Sequence, residues 1–187
     1  MTKTRAFFLY LPAAMLAAGL FGIVHDQISY TVAPEYFTRF KFIQFGLLDV
    51  PLPERARAGI VGFLASWWMG IPLGVLCGAA GFMQRTPALM ARSLVWSLPG
   101  IAVFTLAVAL AGLAYGGLQT SPADYPRLDM QSAGWYVPPG VMHLRRFLCA
   151  GYMHNAAYLG GVLAIPAAWL FHIIFRALVP GAPPAAR

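Results

Sequence analysis

Four long stretches of apolar residues, almost free of charge, constrain this chain more than any other feature of its sequence. A helix that crosses the hydrocarbon core of a bilayer needs about 20 mainly apolar residues. The four stretches reach that length, and they cover about residues 7–24, 58–83, 87–117 and 147–175. The sequence therefore predicts an all-α integral membrane protein, a bundle of about four transmembrane helices in which residues 1–187 form a single membrane domain.

The charges of the chain support this fold class. Only 10% of the residues are charged, whereas soluble domains carry about 25%. The net charge of +7 could indicate a nucleic-acid partner, but the 13 lysines and arginines stand singly or in pairs near the ends of the apolar stretches. Cations in such places anchor helices at lipid headgroups. We therefore expect the lipid bilayer as a partner and no nucleic acid.

The basic residues also predict how the chain is oriented. With four spans, both termini, including the tail 176–187, share one side with the short link between the second and third helices. The connections at about 25–57 and 118–146 lie on the other, extracytoplasmic side. All six acidic residues fall in those two connections together with seven cations, whereas the shorter segments of the first side hold six cations and no acidic residue: Lys3, Arg5, Arg85, Arg92, Arg176 and Arg187. By the positive-inside rule, we expect cytoplasmic termini in a multi-pass protein of the cytoplasmic (inner) membrane.

The first apolar stretch allows a second interpretation. Lys3 and Arg5 precede it, and alanines occur between residues 13 and 18, as in a cleaved signal peptide. A retained anchor is favoured because the stretch continues beyond the best small-residue cleavage point. The signal-peptide alternative stays open.

Small residues recur at every fourth position of the second stretch, and a shorter pattern closes the third. Such spacing lets two helix backbones approach closely in lipid. The pattern predicts a tight helix–helix contact, either within this chain, which is the favoured interpretation, or between copies. The residues are Gly62, Ser66, Gly70, Gly74 and Gly78 in the second stretch and Gly112 and Gly116 in the third.

Most of the histidines, with nearby carboxylates, are predicted to meet at the extracytoplasmic face. His25 and Asp26 follow the first apolar stretch, Glu35 lies in the first connection, and the others flank the start of the fourth helix. The predicted metal or polar site comprises His25, Asp26, Glu35, His143, His154 and Asn155. Imidazole and carboxylate ligands suit transition metals, and histidine can also relay protons.

Within that group we expect His25, Glu35 and His154 to be the ligands of any metal. A haem with a single ligand at the outer face is a further hypothesis, since no pair of histidines at matched depth is predicted within the bundle. The favoured interpretation of the group is an interfacial hydrogen-bond network without a metal. His25 and Asp26 could also mark a simple helix exit, with Asp26 paired to Arg145 or Arg146.

Aromatic residues mark both long connections. In the first they alternate with Arg39 and Lys41, a pattern that suits a short helix or a short strand in the headgroup layer. They could cover the bundle or form a docking surface for another membrane subunit. The predicted interface residues are Tyr36, Phe37, Phe40, Phe42, Trp135 and Tyr136.

Three functions remain open from the sequence. The favoured one is a small non-catalytic subunit or accessory protein of a membrane complex, because the chain has the small-residue face and the aromatic segment but lacks a catalytic motif. Its partner would be another membrane protein or a second copy. The second is a membrane metalloprotein or enzyme with its His/carboxylate site at the outer face. The third is a small transporter or proton pathway, which the scarcity of ionisable residues near the bilayer midplane disfavours.

Overall fold

The structure of the protein, a computed structural model, describes residues 1–120 and 136–179. It is all-helical, with 85% helix and no strand in the described ranges. Four helices are long and apolar enough to cross a membrane: α1 (Lys3–Val32), α2 (Glu54–Met83), α3 (Pro87–Gln119) and α4 (Leu144–Leu178). The predicted all-α bundle is confirmed, and the prediction of four helices of spanning length and composition is confirmed with it.

Helix α1 extends further than its apolar stretch. It continues through His25 and Asp26 to Val32, so these two residues lie inside the helix and not at its exit as predicted. The helix ends at Ala33, which has φ −142° and ψ 80°, because a residue that precedes proline, here Pro34, is disfavoured in the helical conformation. The end of the apolar stretch was therefore a poor guide to the end of the helix.

Helix α2 is less regular than its neighbours. Its α-helical parts, Glu54–Ser66 and Gly70–Gly78, are separated by a 3₁₀ turn at Trp67–Met69, and a second 3₁₀ turn at Ala79–Met83 ends it. Pro72 stands just after the first 3₁₀ turn. Because proline has no N–H, the carbonyl four residues before it lacks its usual partner, which accounts for the irregularity at this level.

The small residues of α2 and α3 are used for contacts within the chain. A Cβ on Gly62 would collide with the backbone carbonyl of Gly22 on α1, and one on Gly70 would collide with the backbone of Met15. Ser66 also faces Gly22. Side chains added at the other positions would meet Ala14 (from Gly74), Tyr10 (from Gly78), Ala156 (from Gly112) and Tyr152 (from Gly116). The predicted small-residue surface therefore brings α1 against α2 and α3 against α4.

Two basic side chains bind the last carbonyl groups of α2 at one end of the bundle. The Lys3 ammonium donates to the carbonyl of Phe82 at 3.0 Å, and Arg176 donates to the carbonyl of Met83. The last carbonyls of a helix have no partner within it, and basic side chains satisfy them well. Lys3 of α1 and Arg176 of α4 thus both bind the end of α2, on the side of the bundle where the sequence predicted the two termini.

The first connection forms an aromatic cap, residues 34–44, at the opposite end. It consists of three helical turns, Pro34–Tyr36, Phe37–Lys41 and Phe42–Gln44, of which the middle one is a π-turn. The strand alternative is therefore wrong. Proline suits the first position of such a turn because its fixed φ is helical and its missing N–H would have no partner there.

Three of the aromatic residues predicted to form a docking surface point into the protein. Tyr36, Phe37 and Phe42 are buried against Val61 of α2 and Phe147 of α4, so these three rings cannot contact another protein in this conformation. Burial of large aromatic surface is the simplest reason for the inward orientation. Of the other predicted interface residues, Phe40 is half-buried and Tyr136 is exposed, whereas Trp135 lies outside the described residues.

Candidate metal centre

Three of the predicted polar residues meet at one level between α1 and α4. His25 Nδ1 lies 2.9 Å from Asp26 Oδ1, and His154 Nε2 lies 3.3 Å from the same oxygen. The two imidazole rings are 4.6 Å apart, centroid to centroid, in an edge-to-face arrangement. One potential ligand atom from each residue lies within 4.8 Å of the other two. We call His25, Asp26 and His154 the His–Asp–His cluster.

The close approach of α1 and α2 positions the carboxylate of this cluster. Gly62 lies against both the Gly22 carbonyl and the Asp26 side chain, since a Cβ on Gly62 would stand 3.0 Å from the Asp26 Cβ. The cluster is largely shielded from water, with exposed side-chain fractions of 5% for His25 and Asp26 and 11% for His154. A buried carboxylate is costly unless it is paired, and His25 Nδ1 is the group that forms a hydrogen bond with it.

The tautomer of His154 follows from its backbone contact. His154 Nδ1 lies 2.9 Å from the carbonyl oxygen of Ala150. A carbonyl oxygen can only accept, so Nδ1 carries a hydrogen and donates it. In the neutral ring Nε2 then has a lone pair, and Nε2 lies 3.3 Å from the Asp26 carboxylate oxygen.

Two nitrogens of the cluster lack a hydrogen-bond partner. They are His25 Nε2 and His154 Nε2, both buried. The contact between His154 Nε2 and Asp26 is close enough for an ion pair but is not aligned as a hydrogen bond. A lone pair beside a carboxylate oxygen is repulsive, and a cation held between the two removes the repulsion. The cluster therefore suits a bound proton or a bound metal ion.

The donor set fits a divalent transition metal. Two histidines and one carboxylate are a common set of three protein ligands for zinc, which leaves a fourth position open. Metal–ligand bonds of about 2 Å require ligand atoms closer than the present 4.8 Å span, so the side chains would move together by small rotations. The N–H of His154 that donates to the Ala150 carbonyl is the kind of outer contact that orients a metal-binding imidazole.

Glu35 and His143 form a separate pair and do not join the cluster. The Glu35 carboxylate accepts hydrogen bonds from the backbone N–H groups of Met142, at 3.1 Å, and His143, at 2.7 Å. The His143 ring lies 3.4 Å from Glu35 and is exposed. The predicted ligand trio of His25, Glu35 and His154 is thus not the one the fold assembles, because the adjacent residue Asp26 supplies the carboxylate and Glu35 is engaged elsewhere.

The electrostatics of Glu35 reflect this engagement. Partial burial tends to raise its pKa, but the two backbone donors and the nearby His143 ring outweigh burial and leave the pKa below its usual 4.5. A carboxylate whose pKa is lowered in the folded state adds stability above its unfolded pKa and loses it as the pH falls through the folded value. Glu35 therefore stabilises the contact between the aromatic cap and the start of α4 at neutral pH.

Replacing Glu35 with glutamine is expected to lower the free energy of unfolding at neutral pH by about 2 kcal/mol, since hydrogen bonds to a charged acceptor are worth about that much. The variant should also lose less stability than the wild type on acidification below pH 4.5. Thermal unfolding in mild detergent across this pH range measures both effects. Equal acid sensitivity of the two proteins would contradict the assigned role.

The other predicted members lie outside the cluster. Asn155 is exposed on α4. Arg145 donates to the carbonyl of Gly117 at 2.9 Å, and Asp26 pairs with histidines and not with arginine, so the predicted Asp26–Arg145 pairing is wrong. The hypothesis of a haem with a single ligand at the outer face stays a prediction.

A cavity extends from the His–Asp–His cluster into the bundle. It has a volume of about 130 Å³ and receives residues from all four long helices. Its wall is mainly apolar, and its polar groups include the cluster itself and Lys41 of the aromatic cap. The Tyr36 ring of the cap lies 4.7 Å from the His154 ring, centroid to centroid, tilted by 35°, so an aromatic side chain packs beside the cluster.

Lys41 is the site residue that the sequence analysis missed, because it was assigned to the headgroup layer. Its ammonium lies 3.1 Å from Gln44 Oε1 and 4.8 Å from the centre of the Phe40 ring. Burial lowers the pKa of Lys41, and the negative charge of Asp26 opposes that effect. The chain has only one other lysine, Lys3. The rarity of lysine in this sequence was the one feature that could have singled out Lys41.

Comparisons of the chain with protein-family models, with curated proteins and with solved structures found no match.

Proposed function

We propose that this protein is a membrane metalloprotein that binds a divalent transition metal, with zinc as the first candidate, at His25, Asp26 and His154. The observation that carries the proposal is that two buried imidazole nitrogens, His25 Nε2 and His154 Nε2, lack hydrogen-bond partners beside the Asp26 carboxylate. Such an arrangement needs a cation, and two imidazoles with a carboxylate select a transition metal over calcium or magnesium, which prefer oxygen ligands.

Each ligand has a distinct part in this proposal. His154 Nε2 and one Asp26 oxygen would bind the ion directly. His25 would complete the trio through one of its ring nitrogens, Nδ1 now on Asp26 or the unpartnered Nε2. Three protein ligands leave a coordination position for water or for a ligand group, as in zinc sites that act on a bound molecule. The adjoining cavity is where such a molecule would enter.

Metal analysis of the protein purified in mild detergent tests this function. We expect near-stoichiometric zinc or another first-row metal in the wild type and its loss in His154→Ala. His143→Ala is the matched control, since it also removes one histidine near the start of α4, and it should keep the metal. Wild-type protein that holds no metal after incubation with zinc and desalting would overturn the proposal and leave a protonated cluster.

The proposal includes a membrane setting. The bilayer is the immediate partner of the four apolar helices, and the charge distribution supports cytoplasmic termini in the inner membrane. In that orientation the aromatic cap and the His–Asp–His cluster lie toward the extracytoplasmic face. Accessibility of cysteines introduced at Arg39 and at Arg85, read with a membrane-impermeant thiol reagent, tests the sidedness: only the first should react in intact cells.

The accessory-subunit function stays a prediction, and two of its supports are weaker. The small residues of α2 and α3 pack within the chain, and three rings of the aromatic cap are buried. Both features were reasons to expect a protein partner. The metal site rests on the geometry of specific donor atoms, and for this reason we rank it first.

A further inference from the structure

The cavity beside the His–Asp–His cluster is small and mainly apolar. Its volume is about 130 Å³, and an apolar cavity of about 150 Å³ is large enough to bind benzene. Alanine, glycine and aliphatic side chains form most of its wall, among them Ala17, Leu73, Ala102 and Ala157. Water in such a space needs about two to four polar partners. Most of the wall therefore suits the apolar body of a compact molecule better than a group of water molecules.

The cluster residues that line the cavity can bind a hydroxyl group of such a molecule. His25, Asp26 and His154 all contribute to the wall, and Nε2 of each histidine is buried without a hydrogen-bond partner. Because His154 Nδ1 donates to Ala150, Nε2 of the neutral ring is an acceptor that lacks a donor. A buried acceptor without a donor is costly, and a hydroxyl group that donates to it removes that cost.

One side of the cavity faces the surface of the bundle. Tyr158 lies one turn after His154 on α4, lines the cavity and is 57% exposed. In the proposed membrane setting, a side chain exposed at this depth of the helix contacts lipid. A charge is costly to bring through hydrocarbon. A molecule that enters the cavity beside Tyr158 is therefore expected to be uncharged.

We propose that the cavity binds a compact uncharged hydroxyl compound about the size of phenol, with its apolar body among the alanines and its hydroxyl group at the His–Asp–His cluster. The inference rests on the proposed function for one contact, in which the hydroxyl oxygen takes the open coordination position of the metal. In the metal-free protein the hydroxyl group donates to His154 Nε2 instead. The size limit and the need for one hydroxyl group are the same in both states.

Binding of 4-fluorophenol to the zinc-loaded protein in mild detergent, followed by fluorine NMR, tests the inference. Fluorobenzene lacks the hydroxyl group, and 6-fluoro-2-naphthol keeps it but adds a second ring. We expect 4-fluorophenol to bind at least about tenfold more tightly than fluorobenzene because of its polar contact. It should also bind at least about tenfold more tightly than the naphthol, which overpacks the cavity. Partition into detergent follows hydrophobicity and would favour the other two ligands, so it cannot produce this order.

Two variants of α3 locate the binding site. Ala102→Leu places three more carbon atoms in the wall of the cavity and should weaken 4-fluorophenol binding at least about tenfold. Ala107→Leu makes the same change on the same helix, at an exposed position that is not part of the cavity wall, and should bind the ligand as the wild type does. Should Ala102→Leu fail to fold, Ala157→Val tests the wall that α4 contributes, with a smaller change.

Equal affinities for 4-fluorophenol and fluorobenzene, a naphthol that binds as tightly as 4-fluorophenol, or unchanged binding in the cavity variant would each overturn the inference. Metal content measured on the same samples separates the two proposals. Protein that holds zinc without discriminating among the three ligands contradicts only the hydroxyl-compound site. Protein that selects 4-fluorophenol without ever holding metal contradicts only the metal centre.

Discussion

Gly62→Ala is expected to lower the free energy of unfolding by about 2 kcal/mol or more, although alanine is the better helix former. The added Cβ would collide with the Gly22 carbonyl, and a backbone atom cannot rotate away as a side chain can. Overpacking typically costs about 1–3 kcal/mol, and a clash with backbone belongs at the upper end of that range, whereas the gain in helix propensity is about 1 kcal/mol. The methyl group would also press on the Asp26 side chain, so metal affinity should fall with stability.

Two glycines of α3 provide the matched control. Positions Gly100 and Gly117 are helical, and a Cβ on either would meet no atom within 4 Å. Gly100→Ala and Gly117→Ala should therefore leave stability unchanged or raise it by up to about 1 kcal/mol. Reversible unfolding in detergent measures all three variants. A Gly62→Ala protein as stable as Gly100→Ala would show that α1 and α2 do not pack as closely as described.

Much of the fold could be predicted from the sequence because the bilayer demands long apolar helices. The small-residue spacing from Gly62 to Gly78 also indicated a close helix contact, although it could not identify α1 as the partner. Helix ends were harder, since apolarity stops near Val24 whereas the helix of α1 stops only before Pro34. The helix is therefore about two turns longer than its apolar stretch, and His25 and Asp26 lie in these additional turns.

The candidate site could be predicted only as a group. The predicted topology brought three histidines to a similar depth. Depth alone does not say which side chains face each other around the helix axes. Glu35 looked as suitable a ligand as Asp26, and only the fold shows that backbone N–H groups of the segment before α4 engage it. Lys41 was missed because the inward turn of the aromatic cap depends on packing against Val61 and Phe147, which no local pattern reveals.

Zinc is expected to stabilise the wild-type protein by about 4 kcal/mol when its free concentration is about a thousand times the dissociation constant, since a ligand that binds only the folded state adds stability by mass action. Asp26→Asn should lose this gain because the amide replaces the only carboxylate of the His–Asp–His cluster. Without zinc the same variant should be no less stable than the wild type. Its amide oxygen can still accept from His25, and its NH₂ group can donate to the His154 lone pair that the carboxylate repels.

Glu35→Gln is the control that separates the two carboxylates. It makes the same chemical change beside a histidine at the same end of the bundle, but its carboxylate lies with His143 and outside the cluster. We expect it to start from a lower stability and still gain the full increment from zinc, whereas Asp26→Asn starts unimpaired and gains nothing. Magnesium should stabilise none of the three proteins, because its preference is for oxygen ligands in octahedral geometry. A zinc response that survives Asp26→Asn and disappears in Glu35→Gln would transfer the metal to Glu35 and His143, because the two sites share no ligand.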